Sequence, residues 1–66
     1  MIFQPRTVYR HKHCVDVDMK VEGVRGHTPW SVSLITRWYD RKGNLLHDGY
    51  DLVVVQNKDR ENWAKV

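Results

Sequence analysis

The chain has 66 residues, with 11 Lys and Arg against 8 Asp and Glu and a formal net charge of +3. A fold of this size buries only about 60% of the surface that its unfolded chain exposes, which excludes a second domain and a large catalytic cleft. A composition of 41% hydrophobic and 29% charged residues is typical of globular rather than disordered chains. The sequence therefore predicts one small folded domain over residues 1–66.

The cysteine content and the first residues indicate the compartment. Cys14 is the only cysteine, so no internal disulfide can form, whereas small secreted domains usually contain several. Residues 1–6 do not have the pattern that begins a signal peptide, and no apolar run is long enough to cross a bilayer. Met1 suggests a complete reading frame. We expect a stand-alone cytoplasmic protein that does not associate with membranes.

The first element in chain order covers residues 9–21, where side chains alternate with period two. Tyr9 and Met19 fall on one face, and Arg10 and Lys20 fall on the other. This alternation predicts one long strand, bent or bulged near His13 and Cys14. Residues 22–29 contain two glycines and a proline and are expected to form a loop.

A second strand is predicted over residues 30–39, with Val32, Leu34 and Trp38 on the core face. A tight hairpin turn follows at residues 40–44, because Asp40 can bond its own backbone and Gly43 can adopt a positive φ. Residues 45–55 then form the return strand, interrupted by Asp48 and Gly49. Its last part, residues 51–55, lacks alternation, which predicts that both of its faces are covered.

The C-terminal segment predicts one helical turn over residues 57–62, capped by Asn57, and a last short strand with Trp63 and Val66 facing inward. Four or five short strands in so few residues favour an all-β fold. We expect a small barrel or a strongly bent antiparallel sheet with an SH3-like layout. The predicted core contains Val15, Val17, Met19, Val32, Leu34, Trp38, Leu52, Val54 and Trp63.

The residues that could support catalysis or metal binding form no recognised pattern. His11 and His13 share a strand face, but a zinc site would need His27 and His47 as well, and the spacing matches no zinc motif. Cys14 points away from the adjacent His13, so a distant His would be required to activate its thiol. Glycine loops and nucleophile elbows are missing from the sequence. We therefore predict no enzyme, no catalytic residue, no metal and no cofactor.

The distribution of charge favours a binding function. Residues 1–15 contain three cations and no acid, and a second cationic and aromatic cluster surrounds the predicted hairpin. A protein-interaction module or homo-oligomer is the first interpretation, since exposed aromatic residues and a free strand edge suffice for it. Nucleic-acid binding is the alternative, because bases stack on rings while cations contact phosphates. The candidate binding residues are Tyr9, Arg10, His11, Lys12, Arg37, Tyr39, Arg41 and Lys42.

Overall fold

A computed structural model of the protein describes residues 3–66, and the side chain of Val15 lies outside that description. The strands are β1 (Thr7–His11), β2 (Cys14–His27), β3 (Ser31–Asp40), β4 (Asp51–Gln56) and β5 (Trp63–Lys65), and a 3₁₀ helix spans Asn57–Asn62. All neighbouring strands are antiparallel, in the order β4-β3-β2-β1-β5. The predicted antiparallel sheet is confirmed. It is open, because β4 and β5 form its two edges, so the closed-barrel alternative is wrong.

Residues 9–21 form a hairpin, and the prediction of one long strand is wrong. The chain reverses at residues 12–13, so that His11 pairs with Cys14 and Tyr9 pairs with Met19. The sequence has no Gly, Asn or Asp at these two positions, and the reversal therefore left no turn signal. Tyr9, Met19 and Val21 still share one face, because the register shifts between Tyr9 and His11 and brings odd-numbered residues of β1 opposite odd-numbered residues of β2.

The predicted loop over residues 22–29 is also wrong, because β2 continues to His27. The register against β3 shifts between Val21 and Gly23 and again between Val24 and Gly26. Each shift inserts one extra residue into β2, which is a β-bulge. The glycines that suggested a loop therefore mark irregularities within a paired strand.

The prediction for β3 and the turn after it is confirmed. Val32, Leu34 and Thr36 are buried on the face that the alternation assigned to the core. At the turn, Oδ1 of Asp40 accepts hydrogen bonds from the backbone N–H groups of Lys42 and Asn44, each at 2.9 Å. The adjacent glycine at position 43 has φ +88°, a conformation that favours glycine over other residues.

The return strand is shorter than the sequence predicts. After the turn, an isolated bridge pairs Leu45 with Tyr39, the N–H of Leu46 donates to the carbonyl of Trp38, and β4 begins at Asp51. Leu52 and Val54 are 59% and 58% exposed, so the prediction that both faces of this segment are covered is wrong. The physical reason is that Leu52 and Val54 lie on the sheet face opposite to the core, whereas Val53 and Val55 face the core.

The helical turn over residues 57–62 is confirmed, although Asn57 does not cap it. Gln56 occupies the cap position, and the side chain of Asn57 donates instead to the carbonyl of Pro29. Trp63 faces inward as predicted, whereas Val66 is 63% exposed.

The core is small and is bordered by aromatic rings. Of the predicted members, Met19, Val32 and Leu34 are buried, while Trp38 and Trp63 pack against its border. Two aromatic residues that the prediction did not place in the core complete it, with the rings of Phe3 and Tyr9 in edge contact at 4.9 Å between centroids. The buried apolar residues are Phe3, Tyr9, Met19, Val21, Val32, Leu34 and Val55.

Candidate binding surfaces

A groove of about 620 Å³ crosses β1, β2 and β3 and reaches the turn after β3. We call it the basic groove. Most of its strand residues alternate with buried core residues, and it therefore lies on the sheet face opposite to the core. It is lined by Arg6, Val8, Arg10, Asp18, Lys20, Tyr39, Asp40, Arg41, Lys42, Gly43 and Val66.

Strand pairing brings these residues together from distant parts of the sequence. Val8 on β1 lies opposite Lys20 on β2, and Asp18 on β2 lies opposite Tyr39 on β3. Arg10 reaches the same row through its contact with Asp18. Two of the three N-terminal cations, Arg6 and Arg10, therefore share one surface with Arg41 and Lys42 after β3.

The basic groove accounts for the net charge of the protein. Five cationic and two acidic side chains line it, an excess of three that equals the formal net charge of the whole chain. The remainder of the sequence has equal numbers of basic and acidic residues. A concave surface lined mainly by one sign of charge attracts oppositely charged ligands more strongly than dispersed charges do.

The two carboxylates of the basic groove are already engaged. Asp18 is 6% exposed and accepts two hydrogen bonds from Arg10, which hold the pKa of its carboxyl below the ordinary value. Asp40 accepts hydrogen bonds from the turn, chiefly from the backbone of Asn44, and its pKa is lowered as well. Both carboxylates are therefore negatively charged near neutral pH, and both are satisfied by fixed donors.

Three cations remain available at the rim. Arg6, Arg41 and Lys42 are exposed, and within residues 3–66 none of their side chains lies within 4.0 Å of a carboxylate. Tyr39 is half-buried and lines the same groove. This combination supplies free positive charge beside one ring.

Four of the eight predicted binding residues line the basic groove: Arg10, Tyr39, Arg41 and Lys42. The other four lie elsewhere. Tyr9 is 2% exposed in the core, so its ring presents no face to a ligand. Arg37 lies 4.5 Å from the centre of the Tyr50 ring, Lys12 belongs to the β1–β2 turn, and His11 faces Asp59.

The sequence prediction missed Arg6 and Lys20. Lys20 looked like part of an ordinary solvated strand face, because its neighbours Asp16 and Asp18 alternate with it in charge. Only the pairing of β1 with β2 places it beside Val8. The three-cation excess of residues 1–15 was the one available signal for Arg6.

A second surface follows the β4 edge. Trp30, Leu52 and Val54 are 76%, 59% and 58% exposed, and together they form what we call the apolar strip. Trp30 and Val54 also line a cleft of about 480 Å³ that extends to Lys58. Leu52 lies opposite Ile35 on β3, which extends the apolar surface toward the middle of the sheet.

Within residues 3–66, the backbone of β4 has no partner strand along this edge. The N–H of Asn57 donates to the carbonyl of Trp30 at 2.7 Å. Hydrogen-bonded and non-hydrogen-bonded residue pairs alternate along an antiparallel pair of strands. Counting back from Asn57, the N–H and C=O groups of Val55 and Val53 therefore point toward β3. The corresponding groups of Leu52 and Val54 point away from the sheet.

The histidines do not assemble a metal centre. The rings of His11 and His13 lie 5.5 Å apart, but Nε2 of His11 bonds to Asp59 and its Nδ1 accepts the N–H of His13. Across the described part of the chain, no three His, Cys, Asp or Glu side chains are grouped as metal ligands. Cys14 is an exposed free thiol in the same hairpin.

None of the helical residues described forms a segment long and apolar enough to cross a membrane. Comparison of the chain with family models, curated proteins and solved structures finds no match. The basic groove and the apolar strip are therefore the observations on which a functional proposal depends.

Proposed function

We propose that this protein is a non-enzymatic interaction module that self-associates through the β4 edge. The observation that supports it most directly is the exposure of Leu52 and Val54 on a strand whose outer backbone groups have no partner strand in the sheet. Edge strands are usually protected by Lys, Pro, a bulge or short length. Residues 52–56 contain no charged residue and no proline, and β4 pairs with β3 without a register shift.

The other edge of the sheet provides a comparison within the same molecule. β5 has only three residues and includes Lys65. Shortness and a lysine are two of the common protections against edge-to-edge pairing. β4 has six residues and neither protection, so the two edges differ in their capacity to accept a strand.

A second copy of the chain is the partner that we propose. Antiparallel pairing of β4 with itself around Val54 places Leu52 opposite the second copy's Gln56 and Val53 opposite its Val55. Asp51 then faces Asn57, so no like charges are opposed. The side chains of the apolar strip would join across the new strand pair.

Size limits the strength of this association. A standard interface buries about 800 Å² per partner, which is roughly a sixth of the 4641 Å² surface of this protein. One strand pair with its side chains falls at the low end of that class. We therefore expect a reversible dimer with a dissociation constant in the micromolar range or weaker.

Sedimentation equilibrium between about 1 µM and 1 mM protein tests the proposal. The wild type should shift from monomer to dimer, and Val54→Lys should remain monomeric because a lysine at the edge opposes strand pairing. Val24→Lys is the matched control, since Val24 is also an exposed strand valine but lies on β2. A wild type that stays monomeric throughout this range overturns self-association.

The exposed thiol of Cys14 supports a reducing, cytoplasmic location for such a module. An exposed free cysteine in an oxidising compartment tends to form intermolecular disulfides. This location is part of the proposal.

A further inference from the structure

We propose that the basic groove binds single-stranded nucleic acid, with Arg6, Arg41 and Lys42 contacting phosphates and Tyr39 stacking on a base. This function is separate from self-association, because the groove lies on β1, β2 and β3 whereas the apolar strip lies at the β4 edge. Self-association does not account for the concentration of the whole net charge on one surface, whereas a nucleic-acid ligand does.

The charge arrangement favours a polyanion over a single small anion. The cations come from β1, from β2, from the turn after β3 and from the segment before β1, so they are spread along the groove. Spaced cations suit a chain of phosphates, in which each neutralised phosphate releases counterions and adds to affinity.

The acidic side chains in the basic groove do not cancel this attraction. Arg10 neutralises Asp18 within a two-bond pair. Asp40 keeps its negative charge, but its Oδ1 accepts the backbone N–H groups of Lys42 and Asn44 and its Oδ2 accepts the side-chain amide of Asn44. Lys20 has a longer contact with Glu22, at 3.7 Å, which is readily exchanged for a phosphate. The positive potential is therefore carried by Arg6, Arg41, Lys42 and, in part, by Lys20.

Tyr39 distinguishes nucleic acid from a featureless polyanion. Tyr39 lines the same groove as the cations. Arg37, two residues earlier on β3, packs its guanidinium on the ring of Tyr50 instead. Single-strand binding proteins combine a basic groove with aromatic rings on which unpaired bases stack. In a duplex the bases are stacked on one another, so Tyr39 has no free base to contact.

The size of the groove also favours a single strand. Its volume of about 620 Å³ is similar to that of small-ligand sites, about 300–1,000 Å³, and the groove is open to solvent rather than enclosed. A base with its adjacent phosphates can enter such a space. A rigid double helix would contact only its rim.

The first experiment measures the binding of a fluorescent oligothymidylate of about 12 nucleotides by anisotropy, at about 50 and 200 mM salt. Three to five phosphate contacts to a single strand should reduce affinity roughly 20- to 100-fold between these concentrations. A duplex of the same length should bind more weakly than the single strand. Equal or tighter binding of the duplex, or no binding at low salt, overturns the proposal.

Two charge variants locate the site. Arg41→Gln with Lys42→Gln removes two groove cations, whereas Arg25→Gln with Lys58→Gln removes two exposed cations outside the groove. Both double variants have the same net charge. The groove variant should bind about tenfold more weakly at low salt, with the slope of log K against log salt reduced by about 1.4. Equal losses in both variants would mean diffuse charge attraction and would reject this site.

A ring variant tests the role of Tyr39. Tyr39→Leu should reduce affinity roughly 5- to 100-fold while leaving the salt slope unchanged, because stacking releases no counterions. Tyr39→Phe keeps the ring and should bind like the wild type. If Tyr39→Leu melts like the wild type and binds as well, the ligand is contacted through phosphates alone and base recognition is rejected.

Failure of this proposal is distinguishable from failure of self-association. Val54→Lys removes the edge contact but leaves the basic groove intact, so it should still bind the oligonucleotide as a monomer. The groove double variant should still dimerise at high concentration. Loss of both properties in either variant would indicate unfolding, which circular dichroism detects directly.

Discussion

Arg10 and Asp18 are joined across the β1–β2 hairpin by two parallel hydrogen bonds, from Nε to Oδ1 at 2.7 Å and from Nη2 to Oδ2 at 2.9 Å. The side chain of Asp18 is 9% exposed and that of Arg10 is 33% exposed. A planar fork matched to a carboxylate is among the stronger side-chain contacts in proteins. The pair therefore fixes the hairpin as well as part of the basic groove.

Arg10→Ala should destabilise the fold by about 1–3 kcal/mol, because it leaves a buried carboxylate without its donors. Arg10→Lys should recover part of the loss, since an ammonium cannot reproduce both hydrogen bonds. Urea unfolding measures both effects. Arg25→Ala, at an exposed position on β2, should change the free energy of unfolding by less than about 0.5 kcal/mol. Equal effects at positions 10 and 25 would contradict a structural role for the pair.

Acid should weaken the fold through Asp18 and Asp59, the carboxyls of which have pKa values below the ordinary value because of side-chain hydrogen bonds. A lowered folded-state pKa stabilises the protein above the unfolded value of about 3.9, and this stability is lost as pH falls through the folded-state pKa. The urea midpoint should therefore decline below about pH 4. Asp18→Asn should flatten that decline, whereas Asp16→Asn, at an exposed site, should leave it unchanged.

Asp59 should be needed to hold the 3₁₀ helix and β5 against β1. Its carboxylate accepts hydrogen bonds from His11, Asn62 and Trp63, and Nε2 of His11 carries the proton because Nδ1 accepts the N–H of His13. Asp59→Ala should reduce stability by about 1–3 kcal/mol. It should also speed amide exchange of Lys12, whose N–H donates to Asn62. Unchanged exchange at Lys12 would contradict this role.

Met19 and Leu52 both belong to the predicted core, but Met19 is buried in the structure and Leu52 is exposed. Met19→Ala should cost about 2–5 kcal/mol, since this side chain is fully buried, whereas Leu52→Ala should cost less than about 0.5 kcal/mol. Thermal melts measure both effects, and a low protein concentration ensures that self-association does not contribute to the measured stability. A large loss for Leu52→Ala in the monomer would show that the outer face of β4 is covered.

The pKa of His47 should lie above the ordinary value of about 6.5. The carbonyl of Asp48 contributes most to this shift, followed by the charge of Asp51, the carboxylate of which lies 3.0 Å from Nε2. Stability from this contact is present below the unfolded-state pKa and is lost as pH rises through the folded-state value. NMR titration should show the shift, and Asp51→Asn should reduce it. An unshifted His47 would contradict the ordered contact.

Local sequence patterns predicted the parts of the fold that depend on neighbours along the chain. Alternation placed Val32 and Leu34 on the core face, and the side chain of Asp40 with a glycine three residues later identified the turn. These features need only the two-residue period of a strand and the bonding of one side chain to its own backbone. The helical turn over residues 57–62 belongs to the same class.

Features that depend on distant pairing were predicted poorly. The reversal at residues 12–13 contains no turn residue, and the glycines at positions 23 and 26 interrupt β2 only by bulges. Half of the predicted binding residues line the basic groove, because type and charge were visible in the sequence but strand register was not. The assignment of Tyr9 to the binding surface is the clearest error, because an aromatic residue next to cations in the sequence can equally well belong to the core.

Composition and local pattern are enough to predict the high strand content, the turn at Asp40, the helical turn and the surplus of positive charge. The tertiary structure makes β4 an edge strand and leaves Leu52 and Val54 exposed on the sheet face opposite to the core. It also decided that cations from both ends of the β1–β3 segment share one groove. The reason is that side-chain alternation is a local property of one strand, whereas pairing order and register depend on the packing of the whole core.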